Sequence, residues 1–547
     1  MKFNIIRLRL LLPLLLSWVV LPALSQVRLD WEAIYTSDNP TSFDRGEAIT
    51  ADRNGNIVAI ANTGENGNTN FSLLRFLPDG TRDWIRRIQH SFFQEARLGV
   101  ADQNGNIAVA GITLDNTATL NLVIAKSDPA GQQLWTREFN TGFGISEEPW
   151  GMAIGLRSRI HVVGDVAGAI GSSPNLFTIT YSTNGDSLWY LPYIAPDSLF
   201  TRRATMTVAE DGTLCMATGL LDNQFRFWGS VYVQADTAGR QLAETIVPGH
   251  WIDTGNRILS YGKNGHLFSA GWDLSGFKVV EIDRGGTVVR NYFSALPDSA
   301  FNPQAWAVLL TSLDHPVLLG SVNHSLTRRA EQVVVKFLPD GQIDWQWRGA
   351  VDSLGLSEGR VFGGINRAND IFLAGGGWEA GVVKLDEQGR ERWHIRQTPP
   401  SLNEAYEVRG MVLVGENSPV LTGNARNPVT NFDVFVLKFS EDPTGLPTLS
   451  GNLPGSFTLS APYPNPFNPE TGFAITLPGR AATIAVKVYD LHGRLVNTLF
   501  EGSLNAGSHR FTWSGADQDG RAVASGIYFI RAQSQNTART RRAVLIK

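Results

Sequence analysis

A glycine-containing turn recurs about every fifty residues through most of this chain, and it constrains the fold more than any other feature. Successive turn glycines are separated by 51, 54, 54, 47, 55, 48 and 56 residues, at Gly80, Gly131, Gly185, Gly239, Gly286, Gly341, Gly389 and Gly445. A second turn precedes the first in several units, at Asn54-Gly55, Asn104-Gly105, Asp211-Gly212 and Asn264-Gly265. Asn-Gly and Asp-Gly accept the positive φ that tight hairpins require. Each unit is therefore predicted to contain four antiparallel strands.

A tryptophan follows the turn glycine by four residues in most units. It is present at Trp84, Trp135, Trp189, Trp345 and Trp393, whereas Ala243 and Arg290 occupy this place in the fourth and fifth units. A bulky ring at a fixed offset predicts packing between neighbouring sheets. Repeats of this length with four strands each are typical of β-propeller blades.

The eighth unit lacks its last strand, because the chain becomes rich in Pro, Gly and Ser after Phe439. A spare strand is present near the N-terminus, where Asp30-Trp31 matches the Asp83-Trp84 pair of the first unit. We expect this strand to become the outer strand of the last blade, which removes a free edge. Residues 26–440 are therefore predicted to form an eight-bladed β-propeller, with a seven-bladed ring plus one extra unit as the alternative.

Residues 1–25 have the pattern of a secretory signal peptide. Three basic residues precede an apolar run over residues 10–21, and the small residues Ala23 and Ser25 precede Gln26. This pattern predicts cleavage before Gln26, with a retained anchor as the alternative. Later segments lack the roughly 18 uninterrupted apolar residues of a membrane span. No transmembrane segment is therefore expected in the mature chain.

The strand pattern changes after a linker over residues 441–456, which is rich in Pro and Gly. Residues 457–547 alternate between short apolar strands and turns, which predicts a small Ig-like β-sandwich. Four short motifs punctuate this segment in a fixed order: Tyr463-Pro464-Asn465-Pro466-Phe467, then His492-Gly493-Arg494, then Ser525-Gly526-Ile527-Tyr528, and a final strand ending at Lys547.

These motifs resemble those of the type A C-terminal sorting domains used by the type IX secretion system. The motif residues are Pro464, Asn465, Pro466, Gly493, Gly526, Tyr528 and Lys547. The resemblance implies a Gram-negative bacterium, the secretion machinery as a partner of residues 457–547, and passage through the periplasm to the cell surface or the medium. It also implies removal of the tag, with release or attachment to surface lipopolysaccharide. The segment is similar, too, to the Ig-like domain of flagellar hook-capping proteins.

The repeats resemble bacterial repeat propellers, and their Gly-x-x-x-Trp spacing is similar to that of quinoprotein repeats. Acidic residues recur near the start of the innermost strand of several units, at Glu47, Glu95, Glu148, Glu358 and Glu404. Innermost strands line the channel of a propeller, so these acids are predicted to ring its mouth as a site for a cation or polar ligand. The alternative is that each acid accepts hydrogen bonds from backbone amides between blades.

Aromatic residues recur in the loops predicted to share one face of the propeller. With one neighbouring acid, the candidate binding residues are Trp150, Trp228, Trp272, Trp378 and Glu379. Exposed aromatic rings on such a face suit the binding of a sugar or a protein. Packing at the ends of strands is the alternative explanation.

The sequence lacks the motifs of common enzymes, including His-Glu-x-x-His, Gly-x-Ser-x-Gly and the phosphate-binding loop. No catalytic residue, cofactor or metal site is predicted, and the formal net charge of −4 argues against a nucleic-acid partner. Cys215 is the single cysteine, so no internal disulfide is expected. We therefore expect a non-enzymatic module that binds a protein or glycan. The alternatives are a secreted hydrolase or lyase acting on polysaccharide through carboxylates at the channel, and a structural component of the envelope.

Overall fold

The computed structural model describes most of the chain. It describes residues 27–37, 44–65, 68–88, 94–114, 119–142, 146–167, 176–196, 199–252, 257–296, 300–324, 330–350, 360–376, 379–399, 405–427, 431–441, 458–460, 462, 464–477, 482–491, 493–505, 507–534 and 538–547. The signal peptide predicted for residues 1–25 lies outside these ranges, as does nearly all of the predicted linker. The chain divides into two compact units, one up to Thr444 and one from Gly445.

The first unit is built from groups of four antiparallel strands in which strands adjacent in sequence pair with each other. It opens with a lone strand, β1 (Val27–Tyr35). The next four groups are β2 (Arg45–Ala51), β3 (Ile57–Glu65), β4 (Asn68–Phe76) and β5 (Arg82–Ile88); β6 (Gln94–Ala101), β7 (Ile107–Leu114), β8 (Leu120–Ser127) and β9 (Gln133–Phe139); β10 (Ser146–Ile154), β11 (Ile160–Ala167), β12 (Leu176–Tyr181) and β13 (Ser187–Tyr193); and β14 (Phe200–Val208), β15 (Leu214–Leu221), β16 (Phe227–Ala235) and β17 (Gln241–Pro248). A single parallel pair, Ser146 with Leu120, joins the second and third groups into one sheet.

The remaining groups of the first unit repeat this pattern. They are β18 (Leu259–Tyr261), β19 (Leu267–Asp273), β20 (Gly276–Ile282) and β21 (Val288–Ala295); β22 (Ala300–Leu310), β23 (Pro316–His324), β24 (Ala330–Phe337) and β25 (Ile343–Ala350); β26 (Phe362–Ile365), β27 (Ile371–Gly376), β28 (Ala380–Leu385) and β29 (Glu391–Gln397); and β30 (Ala405–Val414), β31 (Ser418–Asn427) and β32 (Asn431–Glu441). The four-stranded unit predicted from the spacing of the turns is confirmed.

The N-terminal strand completes the last group. Strand β1 pairs antiparallel with β32, in a register that runs from Val27 opposite Glu441 to Tyr35 opposite Val434. The order of this sheet is β1, β32, β31, β30. The pairing expected for the spare N-terminal strand is therefore confirmed, and it spans almost the whole first unit in sequence.

Neighbouring groups pack through the repeated tryptophan. Five of the rings lie against the turn glycine of the next group, so closely that an added Cβ atom would come within 3 Å of the ring. The pairs are Trp31 with Gly80, Trp84 with Gly131, Trp135 with Gly185, Trp189 with Gly239, and Trp345 with Gly389. These glycines also have positive φ, which only glycine adopts without strain. One small residue thus serves both the turn and the close approach of the ring.

Hydrogen bonds reinforce the same contacts. The indole N–H of the tryptophan and a basic side chain of the third strand both donate to a backbone carbonyl in the turn of the next group. Trp135 Nε1 and Lys126 Nζ donate to Thr183 O at 3.0 and 3.3 Å. Trp31 Nε1 and Lys438 Nζ donate to Pro78 O at 3.0 and 2.9 Å. The last group is therefore joined to the first by the same contacts that join the second group to the third.

The first strands of successive groups are also neighbours. Strand β2 contacts β6, β6 contacts β10, and the series continues through β14, β18, β22 and β26 to β30, which in turn contacts β2. Apolar residues of facing sheets fill the space between the groups, with Ile60, Phe71 and Val109 fully buried between the first and second. Their apolar side chains are the main source of stability, since burying one such residue contributes about 2 kcal/mol.

The second unit is a small antiparallel sandwich. One sheet has the order β33 (Thr458–Leu459), β34 (Thr471–Leu477), β37 (Gly507–Trp513), and the other has the order β36 (Leu495–Leu504), β35 (Ala482–Asp490), β38 (Gly526–Gln533), β39 (Ala538–Leu545). Trp513 and Ile484 lie in the core between the sheets. Within the ranges given above the protein is all-β, and its one helical segment is a three-residue 3-10 turn over Leu156–Ser158. None of the described segments is a helix of the length and apolarity needed to cross a membrane.

Candidate binding site at the bulges of the first strands

The first strands of six groups carry a β-bulge, an extra residue that interrupts the pairing with the second strand. The six extra residues are Glu47, Arg97, Trp150, Arg203, Trp306 and Arg409. A bulge bends the strand and redirects one side chain away from the regular alternation. All six residues line one cavity of about 300 Å³. This space, the bulge cavity, is therefore built from six four-stranded groups at one recurring position.

The bulge cavity continues along the first strands. A second cavity of about 380 Å³ shares Arg97, Trp150 and Trp306 with it and extends to Arg257. A third cavity of about 830 Å³ also includes Arg257 and reaches the turns that follow the first strands, near Asp314. The three cavities together follow the first strands from their beginning to their end.

Two arginines flank the indole of Trp150. The Cζ atom of Arg203 lies 4.7 Å from the ring centroid, and that of Arg97 lies 5.7 Å from it. Both distances are within the range of a cation–π interaction. Arg97 Nη1 also lies 3.0 Å from Glu148 Oε2, and Glu95 is 4.0 Å away. Arg97 is therefore fixed in place by a ring and by two carboxylates.

Arg409, another residue of the cavity wall, is paired with an acid beside the cavity. Arg409 forms an ion pair with Glu407, whose Oε2 accepts a hydrogen bond of 2.9 Å from Asn424. Burial raises the pKa of Glu47, while the charge of Arg409 lowers it and that of Glu95 raises it further. Glu47 is thus less readily ionised than an ordinary glutamate.

Asp165 lies behind Trp150 on β11. Burial raises the pKa of Asp165 to about 6, the Trp150 indole lowers it, and the negative charge of Glu148 raises it. Arg203 opposes this shift through its positive charge. A carboxyl group that titrates near pH 6 can exchange a proton under mild conditions.

The acids predicted to ring the channel mouth do not occupy equivalent positions in their strands, although Glu47 and Glu95 both line the bulge cavity. Glu47 occupies the bulge position, whereas Glu95 and Glu148 lie two residues before the bulges at Arg97 and Trp150. In the last group the counterpart of Glu95 is Glu407, two residues before the bulge at Arg409, and not Glu404. The extra residue shifts the strand alignment, which simple spacing did not reveal. Glu358 and Glu404 lie outside the described residues.

The predicted aromatic face is only partly supported. Trp150 lines the bulge cavity, but its ring lies between two arginines. Trp228 is 39% exposed, whereas Trp272 is 6% exposed and packs in the core, so the assignment of Trp272 to a binding surface is wrong. Glu379 accepts a hydrogen bond of 2.8 Å from Thr398. Trp378 lies outside the described residues.

Sequence reasoning missed the arginines of this site and Trp306. The sequence pattern that could have identified them is an arginine or tryptophan two residues after an acid or amide, as in Glu95-Ala96-Arg97 and Glu407-Val408-Arg409. Trp306 Nε1 donates to Ser321 Oγ at 2.9 Å, which fixes this ring in the cavity wall. Only the bulges explain why these residues face the same space.

The part of the chain that the structure describes contains no group of three or more His, Cys, Asp or Glu side chains placed to hold a metal ion. The carboxylate of Asp52 accepts hydrogen bonds from the backbone N–H groups of Asn54 and Asn56 at 2.9 Å, as in a tight turn. Cys215 is fully buried.

The motif residues of the C-terminal unit converge on its last strand. Asn465 donates to Arg542 O at 2.9 Å and accepts from Val544 N at 2.7 Å. Tyr528 OH donates to Ala524 O at 2.7 Å, and Lys547 N donates to Ser525 Oγ at 2.9 Å. The opening motif, the Ser-Gly-Ile-Tyr motif and the end of the chain are thus held together.

The other motif residues have local roles. Pro464 O accepts a hydrogen bond of 2.8 Å from Thr471, and the adjoining Pro466 is exposed. Gly493 has a φ of 76° in the turn between β35 and β36, which favours glycine. Gly526 begins β38 opposite Leu545 of the last strand.

Residues 467–538 match the FlgD Ig-like domain family. The curated basal-body rod modification protein FlgD of Salmonella typhimurium is 39% identical over 66 residues, which is 12% of this chain and 28% of that protein. The FlgD protein of Salmonella typhi matches to the same extent. The chain therefore spans less than a third of the length of these relatives. The C-terminal unit is an Ig-like domain, as its strand pattern predicted.

Solved structures similar to this chain are distant. PorZ, described as an essential surface component of the type-IX secretion system of Porphyromonas gingivalis, is 11% identical with a TM-score of 0.32, covering 92% of this chain and 81% of PorZ. Sqt1 of Chaetomium thermophilum is 11% identical with a TM-score of 0.45, covering 75% of this chain and all of that one. The polysaccharide lyase Uly1 is 8% identical with a TM-score of 0.42, covering 73% and 90%. At TM-scores this low, these likenesses carry no argument about function.

Proposed function

We propose that residues 26–440 form an eight-bladed β-propeller whose last blade is completed by β1. Two observations support this arrangement. The tryptophan and lysine contacts that join the second group to the third recur between the last group and the first, at Pro78. The first strands also contact one another in series, with β30 next to β2. The cavities along these strands then form the propeller channel.

We further propose that the protein is secreted. Residues 1–25 act as a signal peptide, residues 441–456 as a linker, and residues 457–547 as a type IX sorting domain that is removed at the cell surface, with release or attachment to lipopolysaccharide. The convergence of the motif residues on the last strand supports a single recognition surface. Expression in a Gram-negative host with this machinery should place the wild-type protein outside the cell. A chain ending at residue 456 should stay in the periplasm, and its export would contradict the proposal.

The bulge cavity is proposed as a non-enzymatic binding site for a protein or glycan ligand. The observation that carries this proposal is the convergence of six bulge residues from six four-stranded groups on one space. Bulges are concentrated at functional positions because they redirect side chains. Arginine and tryptophan are also the residues most enriched where ligands and partners bind.

Glycan and surface-protein arrays can test this site. We expect Trp306→Ala to abolish binding that the wild-type protein shows, since its ring lines the bulge cavity. Trp228→Ala is the matched control, because Trp228 is exposed and does not line that cavity. Equal binding by both variants and the wild type would place the ligand elsewhere and contradict the proposal.

A second candidate function is hydrolysis or elimination on a polysaccharide. The observation that favours it is the raised pKa of Asp165, close to Glu148 and Arg203. An enzyme would release new chain ends from acidic or neutral polysaccharides, and Asp165→Asn would abolish that release. If the protein binds a polysaccharide but releases no new chain ends, the enzymatic function is contradicted and the binding function stands.

A further inference from the structure

Guanidinium groups outnumber carboxylates among the residues that line the bulge cavity and its continuation. Five guanidinium groups line the bulge cavity and its continuation, at Arg97, Arg203, Arg257, Arg360 and Arg409. Two carboxylates, those of Glu47 and Glu95, line the same spaces. A guanidinium is always ionised in proteins and presents a planar fork of donors to a carboxylate. The chemistry of this wall is therefore that of an anion site.

The other acids near the cavity position the arginines. Glu148 holds Arg97 at 3.0 Å, and Glu407 pairs with Arg409, but neither acid is among the residues that line the bulge cavity. These ion pairs restrict the rotamers of long side chains before a ligand arrives, and such preorganisation lowers the cost of binding.

Arg203 is held in an unfavourable backbone conformation. It is the bulge residue of β14 and has a φ of 43°, in the left-handed region that residues with a Cβ atom seldom adopt. Strain of this kind persists where the surrounding structure enforces it, often at binding sites. The bulge brings its guanidinium to the same indole that Arg97 contacts. Two like charges beside one ring are stabilised by an anion bound close to both.

We propose that the bulge cavity binds the carboxylate of an acidic saccharide, with Arg97, Arg203 and Arg360 as its donors. This inference rests on the binding function proposed above and names its ligand class. The cavity volume of about 300 Å³ suits one or two sugar residues. Trp306 offers an apolar ring, while Glu47 and Glu95 offer acceptors for hydroxyl groups. The free carboxylate of a peptide C-terminus is the competing ligand.

Calorimetry on the mature full-length chain can test the proposal with paired probes. Cellobiuronic acid carries a carboxylate that cellobiose lacks, and the two are otherwise alike. We expect the acidic disaccharide to bind at least about tenfold more tightly, as one charge-assisted contact provides. Its affinity should fall as salt concentration rises, because the contact is electrostatic.

Charge-removing variants locate the site. Arg203→Gln and Arg360→Gln should each weaken binding of the acidic probe by about 10- to 100-fold while leaving cellobiose unaffected. Arg284→Gln is the matched control, because Arg284 lines only the third cavity and pairs with Asp211 at 3.0 Å. Melting temperatures of all three variants establish that each is folded. Because two arginines are tested separately, the proposal can still be tested if one of these variants fails to fold.

Four outcomes overturn the proposal. They are equal affinity for the acidic and neutral probes, no binding of either, an equal loss in the Arg284 control, or preference for a peptide with a free C-terminus over its amide and over both sugars. If a neutral glycan or a peptide binds and Trp306→Ala abolishes that binding, the inference fails while the proposed binding function stands. If Trp306→Ala leaves all binding intact, the proposed function fails as well.

Discussion

A disulfide between β1 and β32 tests whether the two ends of the first unit are joined in solution. Arg28 and Ser440 are Cα partners in the antiparallel pair, about 410 residues apart in sequence. Paired strands place such Cα atoms about 4.5 to 5.5 Å apart, which is within the range that a disulfide spans. Both side chains are at least partly exposed, so the Arg28→Cys/Ser440→Cys variant removes little packing. Cys215 is fully buried and should not compete.

The expected increase in the free energy of unfolding follows from the length of the loop that the disulfide closes. The chain-entropy relation gives about 6 kcal/mol for a loop of this size, and strain reduces such gains to about 2 to 4 kcal/mol in practice. Thermal unfolding with and without reductant measures the difference, and non-reducing electrophoresis separates internal from intermolecular bridges. The single variants are the controls. Absence of the internal bridge, or a bridge formed only between two chains, would refute the pairing of β1 with its own β32.

Three further predictions concern stability. Trp135→Ala should cost about 3 to 5 kcal/mol in denaturant unfolding, because the ring is 8% exposed and packs on the next sheet; a cost as small as that of the exposed Trp228→Ala would contradict the packing scheme. Burial raises the pKa of Asp165 to about 6, above its unfolded value, so stability is lost as the pH rises from about 4 to about 6; Asp165→Asn should add about 3 kcal/mol at pH 8 and almost nothing at pH 4. Burial lowers the pKa of His250 to about 3, so protonation of the unfolded chain costs about 2 kcal/mol of stability by pH 5. His250→Leu should abolish that part of the loss between pH 7.5 and 5, and an unchanged pH slope would contradict the assignment.

The repeat could be predicted from the sequence because its physical cause is local. The turn requires a residue with positive φ, and the tryptophan ring requires a neighbour without a Cβ atom. Gly80, which packs against Trp31, meets both requirements, so the repeat is visible in the sequence. The same logic predicted that the N-terminal strand would complete the last group, since Asp30-Trp31 repeats the pattern of an outer strand. Local turn chemistry and a fixed offset are sufficient for such a prediction.

The site could not be predicted in the same way. A β-bulge adds one residue without a reliable sequence signal, so Glu47 and Arg97 are equivalent in space although the spacing paired Glu47 with Glu95. The convergence of Arg97, Arg203 and Arg409 depends on the positions of three separate sheets. Exposure of an aromatic ring is equally a tertiary property, which is why Trp272 was misassigned to the surface.

A crystal structure of the mature chain grown with cellobiuronic acid tests the central claim most directly. The account predicts eight four-stranded blades around one channel, with β1 in the last blade and the carboxylate of the ligand bound in the bulge cavity by Arg97, Arg203 or Arg360. A seven-bladed ring, an open array of sheets, or a ligand bound away from the bulge cavity would contradict it.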